Sequence, residues 1–126
     1  MTDAETGKQT VARTAAYIES VSKEARKALT SEFNQNHKGI AFKAVPQILQ
    51  KTALDWFSRR DKTLKMSHES TNVGKLGEVR MVFQGETKKV HFKVHLHATF
   101  LVNGASDDAP SFIKDVNLFV DPREFS

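Results

Sequence analysis

The chain has 126 residues, with 19 Lys and Arg against 15 Asp and Glu, a formal charge of +4 and no cysteine. That length suits a single domain, residues 1–126, which buries enough apolar surface to need neither staples nor a metal, and the lack of Cys excludes disulfides, thiol catalysis and Cys-based zinc or iron–sulfur sites. At 39% hydrophobic residues it is too apolar to be disordered. With no signal-type apolar run in MTDAETGKQT and no stretch of about 20 apolar residues, a soluble intracellular protein is expected.

The charge is unevenly placed. Residues 1–37 hold five basic and five acidic groups, residues 38–93 hold twelve and five, and residues 94–126 hold two and five. A basic middle suits an acidic partner such as RNA, although a charge run is more often a solvated face.

Taken in chain order, Thr2 and Glu5 have the spacing of a capping box. Val11, Ala15, Ile18, Val21 or Ser22, Ala25, Leu29 and Phe33 then recur in steps of three and four, which predicts a helix over residues 8–34, in one or two pieces. Asn34, Asn36 and Gly39 break it, Gly39 being free to take positive φ. A short irregular strand or hairpin is expected over residues 38–43. Pro46 is tolerated in a helix's first turn, and Ile48, Leu49, Ala53, Trp56 and Phe57 mark the apolar face of a second helix, ending near Ser58 at the turn of Arg59, Arg60, Asp61 and Lys62.

Helical spacing then gives way to alternation. Leu64, Met66 and His68 alternate with polar residues, as do Val79, Met81 and Phe83. The clearest signal puts Val90, Phe92, Val94, Leu96, Ala98, Phe100 and Val102 on one face of a strand, and His91, Lys93, His95, His97, Thr99 and Leu101 on the other. Thirteen extended residues would span roughly 43 Å, so a compact domain must bend this strand. Gly85 and Glu86 are expected to form the hairpin before it and Asn103 and Gly104 the loop after it, followed by a last strand through Phe112, Val116, Leu118 and Val120 up to Pro122. The expected fold is α+β, with N-terminal helices packed on a strongly curved, cone-like antiparallel sheet of four to six strands.

The element order and two local patterns resemble the nuclear transport factor two-like superfamily. Gly39, Phe42, Ala44 and Ile48 in NHKGIAFKAVPQIL stand at spacings common at the start of that family's third helix, and SFIKDVNLFVD looks like its terminal strand. The resemblance covers residues 11–121. Within the superfamily the chain looks most like the small subunits of nuclear export and import machinery, in particular the partner of the heterodimeric mRNA export receptor. The resemblance implies a protein of the nucleus and cytoplasm, acting at nuclear pores, that carries no catalytic residues and dimerises through its sheet with a larger subunit's similar domain or a second copy. On that basis His91, Lys93, His95, His97, Thr99, Asn117 and Phe119 are the expected partner interface. The alternative is a small-ligand binder or enzyme of the same superfamily that uses the cone as a pocket.

The residues themselves point away from catalysis. The inward positions are apolar almost throughout, His68 is the one titratable group sharing parity with Leu64 and Met66, and the only Tyr is Tyr17. A lone His on an apolar face is more often a satisfied core or edge residue than a base, so no enzyme is expected. His91, His95 and His97 invite a zinc site, but His91 and His95 are about 13 Å apart along a strand, and His95 with His97 would need a third ligand such as Glu78. No metal and no cofactor are expected. Arg59, Arg60, Lys62 and Lys65, with Lys88 and Lys89 near a hairpin, suit RNA phosphates, without an aromatic stacking motif among them. The plainer reading is that they keep the protein soluble.

Overall fold

The computed structural model describes residues 3–106 and 108–126, with side chains from residue 7 onward except that of residue 76. The expected capping pair of Thr2 and Glu5 therefore lies outside the described residues. Helix α1, Asp3–Asn36, is one continuous rod, because no Gly or Pro interrupts it between residues 8 and 36. Its stripe of Ile18, Val21, Ala25, Leu29 and Phe33 is buried. Ser22 lies in the same stripe, and its hydroxyl has no hydrogen-bond partner among the described residues.

The helix is ended by Asn36 and by Gly39, which takes φ 79° and so turns the chain sharply back. The two-residue strand β1, Ile40–Ala41, is tied to a later strand: Gly39 N–H donates to Ser111 O (2.9 Å), and the Ser111 hydroxyl donates to Ile40 O (2.8 Å). A single 3₁₀ turn over residues 42–44 leads into α2, Val45–Arg60, with Pro46 in its first turn. Val45, Leu49, Ala53 and Phe57 are buried at steps of four. Trp56 is half-buried, edge-on to Phe57 at 5.3 Å, so Phe57 rather than Trp56 is the aromatic anchor of this helix.

The four long strands are β2 (Lys65–Val73), β3 (Glu78–Glu86), β4 (His91–Val102) and β5 (Pro110–Phe119), and the sheet runs β1-β5-β4-β3-β2 with every neighbour antiparallel. This five-stranded half-barrel carries both helices on its inner face, α1 over β5 and α2 over β2, as an α+β curled sheet. The alternation in β4 holds as expected: Phe92 is 3% exposed and Phe100 2%, while His91 and His97 on the other face are exposed. Burying the opposite register would have placed Lys93 and three histidines in the core without partners.

A register shift where Thr99 and Phe100 pair with Asp115 and Ile113 leaves Lys114 as the extra residue of a bulge in β5, and a second shift between His68 and Ser70 leaves Glu69 as that of β2, each of which bends its strand. Gly85 and Glu86 are not the hairpin: they belong to β3, paired with Phe92 and His91. Gly85 sits on the inner face, where a Cβ would come within 2.4 Å of the Phe92 ring and 2.7 Å of Met66 Sδ. It is a glycine because an aromatic ring crosses it. The turn falls one step later, on residues 87–90. After β5 the chain makes a 3₁₀ turn, Pro122–Glu124, then folds back so that Phe125 stacks on Phe92 (5.3 Å) and Ser126 exchanges two backbone hydrogen bonds with His91.

Candidate functional site

The outer face of the sheet gathers all seven residues expected at a partner interface. Register puts them in rows across three strands: Val82, His95 and Phe119; Arg80, His97 and Asn117; Glu78, Thr99 and Asp115. Gln84 pairs with Lys93, and Glu86 with His91, beside β2. Two kinds of contact fill this face.

Toward β2 it is a polar ladder. Glu69 Oε1 accepts from Gln84 Nε2 (2.6 Å) and lies 3.2 Å from Lys93 Nζ, so one carboxylate joins three strands. The hydrogen bond from Gln84, then that from Lys93, holds the Glu69 carboxyl below its usual pKa. Toward β5 it is aromatic. The Phe119 ring, 37% exposed, stacks on His95 at 5.1 Å and meets His97 edge-on at 5.0 Å. His95 Nε2 in turn donates to Glu124 Oε1 (2.6 Å) in the 3₁₀ turn after β5. Burial, then the charges of Arg80 and His95, pushes the His97 imidazole below the usual histidine value. A neutral ring there behaves as an aromatic surface, so Val82, His95, His97 and Phe119 form one exposed to half-buried patch.

Glu124 is the member of this patch that sequence reasoning missed. It lies beyond the proline that stops the last strand, and only the fold-back of residues 120–126 brings it beside His95. Leu101, 57% exposed, faces solvent further along β4, past the bend.

The six basic residues expected to meet RNA do not act as one group. Arg60 Nε donates to Glu24 Oε2 on α1 (2.6 Å), and Arg59 Nε turns back to Asp55 O on its own helix (3.3 Å). Lys62, Lys65, Lys88 and Lys89 instead converge on a cavity at the end of the sheet, between the turn that follows α2 and the β3–β4 hairpin.

His68 is half-buried, edge-on to Phe83 at 5.9 Å, with its Nε2 hydrogen-bonded to the Thr71 hydroxyl. No carboxylate hydrogen-bonds to it among the described residues. Among the described residues no three His, Asp or Glu side chains gather closely enough to hold a metal ion. No helix among them is long and apolar enough to cross a membrane. No protein-family model, curated protein or solved structure matches this chain.

Proposed function

We propose that this protein is a non-catalytic partner subunit that docks through the outer face of its sheet onto a second domain of the same curled-sheet fold, the larger subunit of a nuclear mRNA export receptor. The observation that carries the reading is the patch of Val82, His95, His97 and Phe119. A large ring at the solvent side of a sheet, flanked by a neutral imidazole, suits the core of an interface, where aromatics are enriched and charges depleted. The ladder of Glu69, Gln84 and Lys93 beside it supplies the polar rim that such interfaces have. The resemblance to small transport subunits supplies the identity of the partner.

The test is affinity capture from the source cells with the wild-type chain and with Phe119→Lys, partners being identified by peptide sequencing. Recovery of a larger chain that has a domain of this fold and RNA-binding domains, lost in Phe119→Lys while that variant keeps the wild-type melting curve, supports the reading. A protein that is only homodimeric, or one that captures the same chain with Lys at position 119, would overturn it.

A further inference from the structure

We propose that the lysine-lined cavity at the end of the sheet is a binding site for a compact polyanion, a small molecule carrying two or more clustered phosphates. The cavity is about 860 Å³, within the usual size of small-molecule sites, and Lys62, Lys65, Lys88 and Lys89 line it against a single carboxylate, Glu86. Glu86 also stands 3.6 Å from His91 Nδ1, at the same wall. None of the four lysines has an ion-pair partner among the described residues, whereas Arg26, Lys43, Arg60, Lys93 and Arg123 each have one. Four like charges held around one hollow repel each other and focus a positive field into it, and a multivalent anion relieves that repulsion.

Lys62, Lys88 and Lys89 stand on two turns held by hydrogen bonds, and Lys65 opens β2 beside them. In the hairpin, Thr87 N–H donates to Val90 O (2.8 Å), while the Thr87 hydroxyl oxygen accepts from Lys89 N–H (3.3 Å) and Val90 N–H (3.1 Å). That leaves the Thr87 hydroxyl proton available to an acceptor in the cavity, which Thr87 lines. In the other turn, Asp61 Oδ1 accepts from the Thr63 backbone and hydroxyl, and Asp61 Oδ2 accepts from the Tyr17 hydroxyl (2.6 Å). Both Asp61 oxygens thus accept hydrogen bonds within the protein, and Asp61 makes no ion pair with Lys62 among the described residues. Among the described residues of its wall His91 is the one ring, with no Phe, Tyr or Trp beside it, so the hollow offers successive bases no run of stacking platforms. Clustered phosphates, not a nucleotide tract, match that wall.

This inference shares His91 with the sheet-face reading but rests on the lysines rather than on the patch about Phe119, and it is tested by another readout. The test is calorimetric titration of the whole chain with inorganic tripolyphosphate at low and at near-physiological salt. Saturable binding of one equivalent that weakens with salt is expected. Lys62→Gln with Lys88→Gln should weaken it about tenfold or more, since a hydrogen bond to a charged group contributes that much, and Lys27→Gln with Lys51→Gln, two exposed lysines elsewhere on the helices, should leave it unchanged. Absence of saturation up to millimolar ligand would overturn the proposal. So would an equal loss in the control pair, or an oligouridylate that binds more tightly than tripolyphosphate with affinity rising with its length, which would return these lysines to an RNA surface.

Discussion

The two faces of β4 are built by opposite rules, though they alternate along the same twelve residues. On the inner face Val94 and Leu96 are fully buried and Phe92, Ala98 and Phe100 nearly so, packed against residues drawn from both helices. Nothing there can be polar, because a desolvated group with no partner costs more than its packing returns. The outer face is a set of pairwise contacts, Glu69 with Lys93, His95 with Glu124, Phe119 with both histidines, each replaceable by water. The inner face specifies the fold and the outer face is free to specify a contact.

That contrast breaks most clearly at neighbouring residues of β3. Phe83, fully buried, should cost about 3–5 kcal/mol when replaced by Ala, whereas Arg80→Ala on the opposite face should change urea stability by no more than about 0.5 kcal/mol. Similar losses for the two would mean that the outer face carries fold energy too.

Adding matter to the inner face should hurt nearly as much as removing it. Gly85→Ala puts a methyl group 2.4 Å from the Phe92 ring, and about 1–3 kcal/mol should be lost on chemical denaturation. A neutral result would show that the ring can step aside.

A gain is expected at the one polar intruder in the α1 stripe. Ser22→Ala removes a buried hydroxyl without a partner and improves helix propensity, so the melting temperature should rise, by about 1 kcal/mol in stability. A loss would reveal a hydrogen bond to that hydroxyl.

The smallest effects are those of pH. His97 has its imidazole held below the usual value by burial, Arg80 and His95, so the unfolded chain takes up that proton first. Stability should therefore fall as pH drops from about 6.5 toward the folded value, and His97→Gln should flatten that part of the profile. Asp61 acts in a lower window. The Thr63 and Tyr17 hydroxyls hold its carboxyl below the usual value, and its contribution, complete above about pH 4, is lost as pH falls through the folded value. Asp61→Asn should shrink the loss in that lower window, which Glu69 shares, and leave the His97 window unchanged. Urea midpoints measured across pH 3 to 8 separate the two.

How much of this could be read from the residues follows from the same division. The inner face was legible because burial forces alternation: Val90 to Phe100 and Val79 to Phe83 stand where their parity puts them, as do Ile18, Ala25 and Leu29 at helical spacing. Legibility fails where a local signal has a distant cause. Gly85 reads as a turn, and only the ring of Phe92 across the sheet explains it inside a strand. Strand β2 continues to Val73 through Ser70, Thr71 and Asn72, which show no alternation because residues 69–73 are all exposed and neither face is buried there. The seven expected interface residues could be placed on the outer face by parity, yet their arrangement about Phe119 depends on register with β5 and on Glu124 returning from beyond Pro122. The basic residues were legible as charge only. Which of them Glu24 would claim, and which would face a common hollow, depends on α1 lying beside the end of α2.

Helix α1 rests chiefly on β5, and Arg26 on the helix reaches Asp115 on that strand across 89 positions of sequence. On a ribosome, then, the first helix emerges long before the strand that covers its apolar stripe. Until β5 is made, Ile18, Val21, Leu29 and Phe33 have only α2 and the earlier strands for shelter, so the nascent helix presents a sticky stripe until that strand follows. Folding dominated by so distant a pairing is slow.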